Sequence, residues 1–140
     1  IVENYDPSLP PVIGDEDTLM QALLNLIKNA AESIKSTEKP GQITLETSFR
    51  SGVTRRNSQS GITRQLPIEI RIIDNGPGVS EDVRGRLFQP FVTNKPSGQG
   101  LGLALVSKVA SAHGGFVEIT SQPGRTVFSI LLPADLPKDT

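Results

Sequence analysis

Apolar residues recur at helical spacing between about Asp15 and Ile34, where Leu19, Leu23, Leu26, Ile27, Ala30 and Ile34 form one stripe. Asp15, Glu16 and Asp17 suit the positive N-terminal end of that helix. Pro40-Gly41 breaks the chain, and from Ile43 to Phe49 apolar and polar residues alternate, as in a half-buried strand. Residues 68–73 (IEIRII) predict a second strand that delivers Asp74 at its C-terminal end. Ser80-Glu81-Asp82 opens a short helix reaching Phe88, and Gln89 to Gln99, broken by Pro90, Pro96 and Gly98, is a loop. Gly100 to His113 is a helix with Leu101, Leu105, Val109 and Ala112 on one side, ended by Gly114-Gly115. Phe116 to Thr120 and Thr126 to Leu132 are strands joined by a turn at Pro123-Gly124. Ile1 to Tyr5 suits a short strand ahead of the proline-stiffened segment Asp6 to Pro11. Residues 51–65 hold almost no apolar side chain and are expected to form a long, mobile hairpin loop. Strand pairs with helices between them predict a mixed α+β sandwich, with helices on one face of one sheet.

Composition narrows the function classes. A chain of 140 residues suits one domain over 1–140 with one core. A net charge of -1 provides no global basic field for nucleic acid, and no apolar run approaches a membrane span. The chain has no cysteine, which excludes disulfides, thiolate catalysis and zinc–cysteine sites. It opens at Ile1 rather than Met, and we expect it to be a piece of a longer protein whose other domain holds part of the chemistry.

Three clusters carry candidate chemistry. Asn25, Asn29 and Glu32 share one face of the long helix. Asn oxygens are hard, neutral ligands suited to Mg²⁺ already bound to phosphates, although such a face can equally be merely solvated. Asp74-Asn75-Gly76-Pro77-Gly78 places a carboxylate in a glycine turn after a strand. Such a carboxylate can accept from an exocyclic amine, and Gly76 and Gly78 let backbone approach a flat ligand; an ordinary Asp-Asn-Gly turn is the plainer alternative. Gly98, Gly100 and Gly102 open a helix whose amides can hold phosphates, with Lys95 just upstream. The spacing matches neither a Walker A loop nor the dinucleotide fingerprint, and a simple hinge has the same composition. His113, the single histidine, ends a helix without an acid placed beside it, which favours capping or packing over chemistry.

Taken in order, these clusters resemble the sequence boxes of sensor histidine kinases. Asn25-Leu-Ile-Lys-Asn29-Ala-Ala-Glu32 resembles the N box, Asp74-Asn-Gly-Pro-Gly78 the G1 box, and Phe88-Gln-Pro-Phe91 the F box. Gly98-Gln-Gly-Leu-Gly-Leu103 resembles the G2 box, and residues 121–128 the last glycine box and closing strand. Tyr5-Asp-Pro-Ser-Leu-Pro10 and residues 90–100 are similar to nitrogen-regulation sensor kinases of the NtrB type. Two departures stand out: Thr93-Asn94-Lys95, where relatives often have two threonines before the lysine, and the long segment 51–65.

The resemblance implies a two-layer α/β sandwich of the GHKL (Bergerat) type, a mixed sheet of about five strands covered on one face by three helices. It implies that ATP and Mg²⁺ bind, with Asn29 as metal ligand and Asn25 supporting the phosphate–metal region beside Glu32. Asp74 would hold the adenine amine in a pocket shaped by Gly76 and Gly78, and Thr126 would reach the base through water. Lys95 and the segment Gly98, Gly100, Leu101 and Gly102 would hold phosphates inside a lid at 89–100 anchored by Phe88 and Phe91. Related ATPases carry a water-activating glutamate where this chain has Asn25, and Asn is no general base. The implied activity is therefore γ-phosphate transfer to a histidine on a separate dimerisation domain N-terminal to Ile1, then to an NtrC-like response regulator. A PII-type signal protein is an implied partner, and the implied location is the cytoplasm without membrane contact. A self-contained GHKL ATPase and an ATP/ADP-sensing interaction module are the alternatives.

Overall fold

The computed structural model describes residues 2–9, 12, 14–35, 40–50, 52–56, 61, 63–78 and 100–134. Along them run β1 (Val2–Asn4), α1 (Glu16–Lys35), β2 (Ile43–Phe49), β3 (Thr54–Arg56), β4 (Thr63–Gln65), β5 (Ile68–Asp74), α2 (Gly100–Ala112), β6 (Phe116–Gln122) and β7 (Arg125–Leu132). The main sheet has the order β1-β2-β5-β7-β6, with β1 parallel to β2 and every other pair antiparallel.

Asp15 caps α1. Its Oδ1 accepts the amides of Asp17 at 3.0 Å and Thr18 at 3.5 Å, and its carbonyl accepts the Leu19 amide at 3.0 Å. These bonds satisfy donors that a helix start leaves orphaned. Ala22, Leu26 and Ala30 recur every four residues and are fully buried. The second helix ends in a Schellman motif: Gly115 donates to the Ala110 carbonyl at 2.8 Å, and Gly114 to that of Ser111 at 3.0 Å. Gly114 holds φ +80°, where a side chain is strained.

Alternation along the strands sends Ile68 and Ile72 of β5, and Phe128, Ile130 and Leu132 of β7, to the face that α1 and α2 cover. There they meet Leu26, Ala30, Leu103 and Val106 in one core. The opposite face carries paired charge: Arg71 lies 3.5 Å from Glu46, and Arg50 3.0 Å from Glu69. Two-layer architecture and the five-stranded mixed sheet match expectation. Two helices, not the three expected, occur among the described residues; 80–88, expected to form the short one, lies outside them.

The segment expected to be a long, mobile hairpin loop has a ladder of its own. β3 and β4 pair antiparallel, with Thr54 opposite Gln65 and Arg56 opposite Thr63. Arg50 donates to the Pro67 carbonyl and Leu66 to that of Val53, closing the hairpin base. Leu66, which is fully buried outside the main core, anchors it.

Candidate functional site

Asp74 is the last residue of β5, at the centre of the sheet and on the helix-covered face. It is 2 % exposed, and its Oδ1 accepts the Gly76 amide at 2.9 Å. That bond folds the turn back over the carboxylate. Across the sheet, Asp74 pairs with Thr126, which pairs with Ser121. The Thr126 and Ser121 hydroxyls lie 3.3 Å apart. Polar side chains thus form a row across β5, β7 and β6 at one end of an otherwise apolar face.

The turn itself is tightly held. Asn75 accepts the Gln42 amide through Oδ1 at 2.8 Å and donates through Nδ2 to the Pro40 carbonyl at 3.0 Å. It therefore braces the exit of β5 against the entry of β2. Gly124 donates to the Gly76 carbonyl at 3.1 Å, tying the same turn to the β6–β7 hairpin. A β-carbon on Gly76 would run into Ser33 Oγ of α1 and come within 2.9 Å of Asp74 Oδ1. Gly78 holds φ +89°, and a β-carbon there would press on the Gln122 carbonyl at 2.9 Å. Both glycines are required by close approach to neighbouring parts of the fold itself.

Ser33 brings α1 to this turn. Asn29 lies one helical turn before Ser33 and Asn25 one turn earlier, so the three share one side of α1. Asn25, Asn29 and Glu32 are all half-buried. The fold therefore aligns the asparagines of α1 with the side that meets the Asp74 turn. No group of three or more His, Cys, Asp or Glu residues able to hold a metal occurs among the described residues. A divalent cation here would rely on amide oxygen together with ligand phosphates, a donor set that fits Mg²⁺.

Gly100, Leu101 and Gly102 form the first turn of α2, whose leading amides have no acceptor within the helix. Lys95, Gly98, Phe88 and Phe91, together with the expected lid apart from Gly100, lie outside the described residues. His113 is engaged on both sides of its ring, by the Val109 carbonyl at 2.8 Å and the Asp15 amide at 3.0 Å. No helix among the described residues is long and apolar enough to cross a membrane. Asn75, Ser33 and Ser121 were not among the expected site residues. For Ser121 a signal existed: a two-residue turn at Pro123-Gly124 registers it opposite Thr126.

Residues 14–136 match the family described as histidine kinase-, DNA gyrase B- and HSP90-like ATPases. The sensory histidine kinase/phosphatase NtrB of Azospirillum brasilense is 52% identical over 133 residues, covering 94% of this chain and 32% of that protein. The chain thus spans about a third of that relative. Among solved structures, a mycobacterial sensor histidine kinase, MprB, is 29% identical with a TM-score of 0.68, over 94% of this chain and 82% of the other. Full-length ShkA, solved in complex with AMPPNP, is 30% identical with a TM-score of 0.68, over 98% of this chain and 26% of that one.

Proposed function

Since the chain belongs to the histidine kinase-, DNA gyrase B- and HSP90-like ATPase family, we propose that it is the ATP-binding catalytic domain of a two-component sensor histidine kinase of the NtrB type. The observation that carries the reading is the buried Asp74 carboxylate, folded under its own glycine turn beside Thr126. A carboxylate accepts several hydrogen bonds at once, so Asp74 takes the Gly76 amide and the adenine exocyclic amine together. Gly76 and Gly78 leave the base a flat wall, and Thr126 contacts it through water.

Asn29 would supply an oxygen to Mg²⁺, with Asn25 and Glu32 beside it, and that cation would supply neutralisation of phosphate charge. Lys95, Gly98 and the amides of Gly100, Leu101 and Gly102 hold the phosphates. Asn25 cannot deprotonate water, so the site keeps ATP intact and presents its γ-phosphate. His113 is an unsuitable acceptor, because both ring nitrogens are already engaged inside the domain. The phosphate goes instead to a histidine on a dimerisation domain and then to an NtrC-like response regulator in the cytoplasm, with a PII-type protein as regulator.

The test is transfer in trans. The chain is mixed with a purified phospho-acceptor domain of an NtrB-type kinase and γ-labelled ATP. Label on the acceptor histidine is the expected result. Rapid hydrolysis with ATP alone would mark a self-contained ATPase. Tight ATP binding with neither transfer nor hydrolysis would mark a nucleotide-sensing module.

A further inference from the structure

His113 follows the last residue of α2, and its ring joins the two helices that carry Asn29 and the Gly100 turn. Nδ1 faces the Val109 carbonyl at 2.8 Å. A carbonyl only accepts, so Nδ1 bears the proton and donates. Nε2 is then the acceptor, and it takes the Asp15 amide at 3.0 Å, across 98 residues of chain. Asp15 is the cap of α1, its own Oδ1 occupied by the amides of Asp17 and Thr18. One neutral ring therefore ties the last turn of α2 to the first turn of α1. Gly14 completes the joint: a β-carbon there would collide with Cδ2 and Nε2 of the ring.

The two arms leading from this joint are matched in length. Asn29 follows Asp15 by fourteen residues, and Gly100 precedes His113 by thirteen. At 1.5 Å per helical residue these arms are about 21 Å and about 20 Å. The helices pack against each other on one face of the sheet. We infer that His113 is a positioning residue that fixes the axial register of α1 against α2, and with it the level of Asn29 relative to the amides of Gly100, Leu101 and Gly102. This rests on the reading of Asn29 and the α2 amides given above. A slip of one residue displaces Asn29 by about 1.5 Å, large against a magnesium–oxygen bond of about 2.1 Å.

The test uses the 140-residue chain. Imidazole ¹⁵N spectra are expected to show His113 protonated at Nδ1 and bare at Nε2, with the Asp15 amide protected from exchange. His113→Asn keeps a donor for the Val109 carbonyl but cannot reach Asp15. His113→Gln restores an acceptor within reach of the Asp15 amide. Affinities are measured by calorimetry for ADP without metal and for the non-hydrolysable ATP analogue AMPPNP with and without Mg²⁺.

The Asn variant is expected to bind metal-free ADP within about twofold of the parent and to lose about tenfold of the gain that Mg²⁺ confers, while the Gln variant recovers most of that gain. Asn29→Ala is the control for the underlying reading. If it abolishes the magnesium gain while His113→Asn leaves the gain intact, the positioning role is overturned and the site reading stands. If Asn29→Ala leaves the gain intact, the assignment of Asn29 falls and the positioning role falls with it. Equal losses in the Asn and Gln variants, or a parallel loss of metal-free ADP binding, would reduce His113 to packing. Should the Asn variant fail to fold, His113→Gln decides: a parent-like gain with a protected Asp15 amide supports the role, and loss of the gain overturns it.

Discussion

Asp74 and Thr126 stand directly opposite each other on neighbouring antiparallel strands, each 2 % exposed, at the polar end of a face that is otherwise apolar. A buried acid beside a buried hydroxyl is costly unless each is hydrogen-bonded, and here Asp74 accepts the Gly76 amide while the Thr126 and Ser121 hydroxyls lie 3.3 Å apart. Two strands thereby present polar groups at one spot, the spot proposed above to receive the purine edge.

Asp74→Asn tests that assignment. The amide oxygen can still accept from Gly76, so the turn is expected to survive, with an unchanged circular dichroism spectrum. The amide nitrogen then meets the base amine as donor against donor. Affinity for ADP and ATP is expected to fall by about 1.5–3 kcal/mol, the worth of a hydrogen bond to a charged group. Equal calorimetric affinities for variant and parent would remove Asp74 from the base site.

Asn29→Asp separates metal from nucleotide. The new carboxylate stands one helical turn from Ser33, toward the region read as the phosphate site. Transfer from Mg²⁺-ATP is expected to drop at least about tenfold, while metal-free ADP binding changes much less. Matching transfer rates for mutant and parent, at saturating Mg²⁺, would take Asn29 out of the metal site.

Much of this was readable from residue order because it rests on local periods. The stripe from Leu19 to Ile34 and the alternation from Ile68 to Ile73 each bury one face, and burial imposes a period on sequence. The β3–β4 hairpin left no such mark. Its strands are polar, its pairing is backbone pairing, and Leu66, just outside it, supplies the anchor. Contacts between remote residues left no mark either. Asn75 reaches Gln42 and Pro40 across more than thirty residues, and His113 reaches Asp15 across 98. Asp-Asn-Gly reads as a turn from sequence, but nothing in it says that the middle residue braces a neighbouring strand.

Asn75→Ala should therefore be a stability variant. It deletes both side-chain bonds to the entry of β2 and leaves Asp74 in place. The expected loss is about 1–2 kcal/mol, since each bond is worth about 1 kcal/mol and Asn75 is solvent-exposed. Chemical denaturation measures it. A midpoint equal to the parent's would show that water replaces the brace at no cost.

Asp6 provides a pH-dependent check away from the site. The Ser8 hydroxyl at 2.6 Å and the Ser8 amide at 2.9 Å both donate to its Oδ1, in that order of effect, and hold its pKa below the usual aspartate range. A depressed folded-state pKa means the contribution is fully present above the ordinary aspartate titration and is lost as pH falls through the lowered value. Carboxyl NMR titration is expected to show the depression, and Ser8→Ala to relieve most of it. An identical Asp6 titration in that variant would refute the cause.

Gly76→Ala probes the closest approach of α1 to the turn. The added methyl would run into Ser33 Oγ, crowd Asp74 Oδ1, and lie 3.3 Å from the Ser33 backbone carbonyl carbon. Crowding of this kind costs about 1–3 kcal/mol, and here it pushes directly on the carboxylate proposed to read the base. Both melting temperature and ADP affinity are expected to fall. Ser33→Ala removes the nearest of the three obstacles. The double variant is therefore expected to recover part of the lost stability, with a coupling of at least about 0.5 kcal/mol, as for residues in direct contact. Strict additivity of the two substitutions would mean that α1 does not press on the turn at Gly76. The contact between the helix of Asn25 and Asn29 and the strand end of Asp74 would then have to be sought elsewhere.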